Sequence, residues 1–214
     1  MIETASGLIL RTRPLTESSL IVQWLTPDFG RLATAAKGAR RPKSPFLGKL
    51  DLFYEADFTF SRSRRSDLHT LREVKLREAH PALRQDLGYL RQAAWCARLI
   101  EQVTETETPL PGLCELMRGL LAHIAGQPPQ AQTILAFELK LLEELGLKPD
   151  LTRSHLSPGA RQIVNNLLAR DWPGISRLRL SETQTAEVCQ FLHGFLIYHL
   201  GRIPSGRAHA LGCG

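Results

Sequence analysis

The chain has 214 residues, 43% of them hydrophobic and 22% charged, and a formal net charge of +6. This composition can bury a core and excludes a largely disordered chain, while the length allows one large domain or two small ones. No apolar run reaches the ~20 residues of a bilayer span, and the start Met1-Ile2-Glu3-Thr4-Ala5-Ser6 lacks the basic and apolar regions of a secretory leader, so a cytoplasmic location is expected.

The charge is unevenly placed. Residues 1–80 carry 14 basic and 9 acidic side chains, net +5, and residues 81–214 carry 13 and 12, net +1. The basic excess therefore belongs to the first third, which suits contact with a polyanion.

Up to residue 79 the apolar positions tend to alternate, the signature of half-buried strands. Leu8, Leu10 and Thr12 share one phase and Arg11 and Arg13 the other; Leu20, Val22 and Trp24 share a phase; Leu32, Thr34 and Ala36 oppose Arg31 and Lys37. The clearest run is 50–60, with Leu50, Leu52, Tyr54, Ala56, Phe58 and Phe60 against Asp51, Glu55, Asp57 and Thr59. A fifth candidate, residues 68–79, is less regular. Turn signals separate them at 14–18, 27–30, 38–48 and 61–67. Five short strands in this space predict a small barrel or sandwich. A five-stranded OB-type barrel fits the count, and an SH3-like barrel fits the pattern nearly as well.

After Pro81 the period changes to 3.6. Leu83, Leu87, Leu90, Ala94, Ala97 and Ile100 follow helical spacing, as do Val188, Phe191, Leu192, Phe195, Leu196 and His199. The segment 134–145 has a wide apolar stripe, which predicts a well-buried helix. Breaks fall at Pro109-Leu110-Pro111-Gly112, Gly126-Gln127-Pro128-Pro129 and residues 146–149. Ser157-Pro158 reads as a cap followed by proline at the first helical position, and Ser181-Glu182-Thr183-Gln184 as a capping box. About five helices are expected, with a frayed tail from Gly201 onward.

Local catalytic signals are absent. Neither a phosphate-binding glycine loop nor H-E-x-x-H, G-x-S-x-G or an EF-hand loop occurs. Cys96, Cys114, Cys189 and Cys213 are far apart and form no C-x-x-C, so neither zinc nor a disulfide framework is expected. Cys96 and Cys189 read as small core residues and Cys213 as an exposed tail thiol. His193 and His199 are six apart and do not share a helix face. Asp51, Glu55 and Asp57 read as a solvated strand face rather than metal ligands.

What remains is a basic set. Lys37-Gly38-Ala39-Arg40-Arg41-Pro42-Lys43 holds four cations in seven residues without an acid. Arg62, Arg64 and Arg65 form a second group in the turn before the fifth strand. Arg11, Arg13, Arg31 and Lys37 occupy the outward phase, so strand and loop charges are expected to form one surface. Phosphates require several Lys or Arg donors, and guanidinium planes can also stack on bases. Phe29, Phe46 and Phe53 are candidate base-stacking residues, with Phe46 equally readable as a loop anchor on the core.

Several segments carry a resemblance. Gly7-Leu8-Ile9-Leu10-Arg11-Thr12-Arg13-Pro14, Thr16-Glu17-Ser18-Ser19-Leu20-Ile21-Val22, Phe29-Gly30-Arg31-Leu32 and Ala36-Lys37-Gly38-Ala39-Arg40-Arg41-Pro42-Lys43-Ser44 resemble the RecO family of bacterial DNA-repair recombination mediators. Downstream, Ala136-Phe137-Glu138-Leu139-Lys140-Leu141-Leu142, Gly146-Leu147-Lys148-Pro149-Asp150-Leu151 and Leu156-Ser157-Pro158-Gly159-Ala160 are similar to the family's central helix, its exit and the next helix start. The resemblance implies an α+β, multi-domain chain: a five-stranded OB-fold DNA-binding domain over 1–80 and an all-α helical domain over 81–214. It implies binding of single- and double-stranded DNA and annealing of complementary strands. It further implies work with RecR, and in some bacteria RecF, contact with the C-terminal tail of single-strand-binding protein, and help in loading RecA, without a catalysed bond change. Many relatives carry a four-cysteine zinc insertion where this chain has only Thr152-Arg153-Ser154-His155, so no zinc or other cofactor is expected.

The DNA-binding residues expected are therefore Arg11, Arg13, Lys37, Arg40, Arg41, Lys43, Arg62, Arg64 and Arg65, with no catalytic residue. Arg84, Arg91, Arg98 and Arg118 are weaker basic candidates for a protein partner in the helical part. The rival readings are a non-catalytic adaptor with an incidental basic barrel, and a nuclease with a dispersed site.

Overall fold

A computed structural model describes residues 1–212, apart from the side chain of Arg153. Cys213 lies outside the described residues. The chain divides into two compact units: Met1–His80 with Thr104–Cys114, and Pro81–Val103 with Glu115–Gly214. The segment after the first long helix thus returns to the first unit.

The first unit is a closed five-stranded barrel in the order β1-β2-β3-β5-β4. Its strands are β1 (Ile2–Pro14), β2 (Leu20–Thr26), β3 (Gly30–Ala36), β4 (Glu55–Ser61) and β5 (Leu68–Glu78). All neighbours are antiparallel except β3 and β5. The pairing runs Arg13–Ile21–Ala35–Thr70–Ser61 and returns to β1 at Ile2, from position 13 to position 2, eleven residues away. Such a stagger tilts the strands steeply, and a tilted sheet of only five strands can close on a filled core. That core contains Ile9, Val22, Trp24, Leu32, Ala36, Ala56, Phe58, Phe60, Leu71 and Val74. Trp24 stacks on Phe58 at 4.0 Å, and its indole N–H donates to Thr34 Oγ1 at 2.9 Å, so the one polar atom of this large side chain is satisfied inside.

Two expectations for the strands need correction. The β1–β2 register shifts between Ile9 and Arg11. The bulge reverses the phase before it, so Ala5 and Ile9 enter the barrel core instead of Leu8 and Leu10, while Thr12, opposite core residue Val22, keeps the expected inward phase. The run 50–60 is not one strand either, because β4 begins at Glu55. Phe53 has φ 65° and donates its backbone N–H to Ile9 O, while Tyr54 O accepts from Ile9 N–H. Phe53 is 2% exposed and Phe46 6%, so neither is an exposed stacking face. Asp51 accordingly leaves the carboxylate row, Asp57 pairs with Arg77, and Glu55 faces His80.

The second unit is helical. Its long elements are α1 (Leu87–Val103), α3 (Ala131–Glu144), α4 (Pro158–Ala169) and α6 (Glu182–Leu200), and it takes in most of α2 (Pro111–Ile124). The short helices α5 (Trp172–Ser176) and α7 (Arg207–Leu211) add to the five expected. Ser157 Oγ accepts from Ala160 N–H with Pro158 in the first turn, and Ser181 and Gln184 form the capping box. α3 is buried on almost every side from Thr133 to Leu142 and packs against α1, α4, α5, α6 and α7.

Among the described residues, to Gly212, the tail is not frayed. Arg207 donates twice to Glu138, Nε to Oε1 and Nη2 to Oε2, both at 2.7 Å, and once to Cys189 O. Burial raises the Glu138 carboxyl above the ordinary range, against the opposing pull of Arg207 and Trp95. A bidentate guanidinium is the partner that makes such a buried carboxylate tolerable. Cys96 is buried as expected, but Cys189 is only half-buried. No described helix is long and apolar enough to cross a membrane.

Candidate nucleic-acid interface

The loop from Lys37 to Lys49 is shaped by its own backbone. Successive bonds Ala39 N–H to Ala36 O, Arg41 N–H to Gly38 O, Ser44 N–H to Arg41 O, Leu47 N–H to Ser44 O and Lys49 N–H to Phe46 O make a chain of tight turns. Gly38, at φ 70°, supplies the left-handed step that opens it. Ala39 and Phe46 anchor the loop in the barrel core. Arg40 N–H donates to Ser18 O at 3.0 Å and Gly38 N–H to Ser19 Oγ at 3.4 Å, which ties the loop to the β1–β2 turn.

This fixed loop presents Lys37, Arg40, Arg41 and Lys43 to solvent. None of the four side chains makes an ion pair or hydrogen bond among the described residues. Arg13 is exposed at the same end of the barrel, in the row Arg13–Ile21–Ala35, and exposed Arg11 lies one outward position down β1. The acidic residue of the β1–β2 turn, Glu17, is exposed and pairs with none of them. Six expected residues thus gather at one end of the barrel.

A further exposed cation stands on β5. β3 and β5 run parallel and their pairing ends with Ala35 opposite Thr70, and Arg72 follows at a bulge of β5 against β4. Arg72 is exposed and its Nε donates to Ser61 Oγ at 2.8 Å. Sequence reading did not single it out, and its partner Ser61 is set by the β4–β5 pairing.

The second basic group stands elsewhere. The β4–β5 loop precedes Leu68, which pairs with Ala33, so it lies toward the β2–β3 turn. Four positions of chain separate Ala33, level with the start of β5, from Lys37, a span of about 13 Å at the usual rise per residue, and the β4–β5 loop lies beyond it. Arg64 and Arg65 are exposed there. Arg62 is not available, because it donates to Glu3 Oε1 at 2.7 Å, to Glu3 Oε2 at 3.2 Å and to Glu107 Oε2. The hydrogen bonds that Arg62 donates to Glu3 and Glu107 raise its pKa further, and Arg62 in turn holds the Glu3 carboxyl below its ordinary range. The single continuous surface expected from the sequence is therefore divided, and Arg62 serves as an internal tie.

Glu107 comes from the returning segment. Its other oxygen lies 2.7 Å from Nε2 of His69, a residue 1% exposed. His69 Nδ1 accepts from Ser63 N–H at 3.3 Å, so Nε2 is the proton-bearing nitrogen that donates to Glu107. The same segment occupies Arg31, whose side chain donates to Thr104 Oγ1 and Thr104 O. Phe29 is half-buried, with its ring edge against Phe60 and the Arg62 guanidinium over its face at 5.8 Å.

Among the described residues no group of three or more His, Cys, Asp or Glu side chains could hold a metal ion. The geometry of this end of the barrel is that of a cation platform: rigid loop, several donors, and no carboxylate paired to its four loop cations.

Comparison with known proteins agrees with this architecture. The family model for the recombination protein O N-terminal region matches residues 1–80, and the model for the recombination protein O C-terminal region matches residues 84–157. A DNA repair protein RecO from Alkaliphilus metalliredigens is 29% identical over 95% of this chain and 96% of its own length. Proteins of the same description from Rhodopirellula baltica and Exiguobacterium sibiricum are each 34% identical, over 69% and 71% of this chain. Those two matches span only 54% and 60% of the relatives' own lengths. A closed five-stranded barrel followed by a helical unit, matched in order by both family models, shows that the chain belongs to the RecO family of DNA repair proteins.

Proposed function

We propose that this chain is a recombination mediator that binds single- and double-stranded DNA through the cation platform of its barrel. The observation that carries the reading is the rigid loop holding Lys37, Arg40, Arg41 and Lys43 in solvent beside Arg11 and Arg13. Side chains on phosphates carry no base code, so binding is independent of sequence. By neutralising two strands the platform lowers their mutual repulsion, which favours annealing of complementary strands. Arg64 and Arg65 form a separate, weaker contact group.

The partners proposed for the rest of the function are RecR, in some bacteria RecF, and the C-terminal tail of single-strand-binding protein, with loading of RecA onto the covered strand as the outcome. No bond is made or broken by the protein in this scheme, no cofactor is needed, and the expected setting is the cytoplasmic nucleoid. The test is annealing of strands coated with single-strand-binding protein. The wild type accelerates it, and replacing Arg40, Arg41 and Lys43 together by Glu removes the acceleration while the barrel stays folded. A folded triple variant that anneals at the wild-type rate would overturn the assignment of this loop.

One observation favours a second reading, the non-catalytic adaptor. α6 turns Val188, Leu192 and Leu196 inward, yet leaves Ile197 41% and Tyr198 83% exposed beside Phe195 and His199. Size-exclusion with candidate partners, with and without DNA, separates the readings: an adaptor forms its complexes whether or not the loop cations are present.

A further inference from the structure

A cavity of about 630 Å³ opens in the helical unit between the first turn of α3 and the linker from α5 to α6. Its lining includes Gln130, Gln132, Ser176, Arg177 and Arg179, and no acidic residue. Both arginines are exposed, and neither has an ion-pair partner among the described residues. The linker that carries them is held in place. Leu178 N–H donates to Ile175 O at 3.0 Å, and Gln132 Nε2 donates to Leu178 O at 3.1 Å and to Gln130 Oε1 at 2.9 Å. The two guanidinium groups therefore rise from a fixed backbone on either side of Leu178. Both lie beyond the segments matched by the family models, which end at residue 157.

A polar cavity with two unpaired guanidinium groups and side-chain amides selects for anions. Arginine presents paired N–H donors that match two oxygens of one phosphate, and Gln and Ser add neutral donors. The adjoining groove, which shares Leu180, is largely apolar and includes Glu182, so the preference for an anion is confined to the Arg177–Arg179 cavity.

We propose that the Arg177–Arg179 cavity is a second contact for the nucleic-acid backbone, taking one or two phosphates of a bound strand. This inference rests on the DNA reading of the barrel, and adds to it a site on the other unit. It predicts that more phosphates are neutralised than the barrel alone can account for.

The test uses the full chain and a long oligo-dT, with binding followed by fluorescence anisotropy over a salt series. Each lost phosphate contact on a single strand flattens the slope of log K against log salt by about 0.7. Arg177→Glu with Arg179→Glu should flatten it by about 1.4 and weaken binding at least tenfold at low salt, roughly a 1.4 kcal/mol loss. Arg177→Lys with Arg179→Lys keeps the charges and should retain the slope. The loop triple variant is the control. If it loses binding while the Arg177/Arg179 variant matches the wild type, the cavity inference fails and the barrel reading stands. If both match the wild type, the DNA reading fails with it. If the Arg177/Arg179 variant keeps DNA affinity but loses an acidic C-terminal peptide, the cavity is a protein site and the inference is overturned.

Discussion

At the scale of the residue, single side chains in the barrel are committed by neighbours far away in sequence. Gly30 shows this most sharply. Its φ is +66°, and a Cβ added there would lie 1.9 Å from Thr108 O, so both the backbone and the returning segment require glycine. Gly30→Ala should cost roughly 3 kcal/mol from strain and overpacking, read as a lower midpoint in urea unfolding. Arg62 is the second case. Its bond to Glu3 lowers the Glu3 pKa, so Glu3 stabilises the fold above the ordinary carboxylate range, and that stabilisation is lost as pH falls through the lowered value. Glu3→Gln should therefore be less stable than wild type at neutral pH, with the difference closing as the solution is acidified. A constant difference from neutral to strongly acid pH would show that the bond does not matter. Nothing in Ser61-Arg62-Ser63-Arg64-Arg65 separates a paired cation from a free one, because the deciding carboxylates stand at positions 3 and 107.

At the scale of the element, the one-turn helix α7 is too short to hold itself together, since an isolated helix of this length is marginal in water. It persists because Arg207 reaches Glu138 on the buried helix α3. Arg207→Met leaves that carboxylate buried and uncompensated, and should cost about 3–5 kcal/mol. Glu138→Leu combined with Arg207→Met removes both charges and should recover most of the loss. Protease sensitivity of the tail and urea unfolding of the three variants measure this. The expectation of a frayed tail failed for the same reason: the residue that docks it lies 69 positions away. By contrast, the capping signals at Ser157 and Ser181 were legible because a cap is made by residues three apart. β1 falls between these cases. Its alternation was visible, but the bulge at Leu10 reversed which residues face the core.

At the scale of the whole molecule, the prediction concerns counterions. On the proposed function, Arg11, Arg13, Lys37, Arg40, Arg41 and Lys43 would together neutralise about six phosphates of a single strand, and the barrel's share of the salt slope should be near −4. The loop triple variant should flatten the total slope by about 2, and the loss should be similar for oligonucleotides of different sequence. A strong sequence preference in that loss would mean base contacts that this platform does not provide.

Much followed from the order of residues alone. Alternation at period two followed by period 3.6, with turns and caps between, determined a small barrel and then a helical domain, because these patterns arise among residues close along the chain. The basic run at 37–43 was equally plain for the same reason. Tertiary structure decided which cations are free. It turned Arg72 onto Ser61, set Arg64 and Arg65 toward the other end of β3, and tied Arg31 and Arg62 to the segment that returns after α1. Whether a charge faces water or a carboxylate depends on strand register and on chain crossings many residues apart, and a linear pattern carries neither.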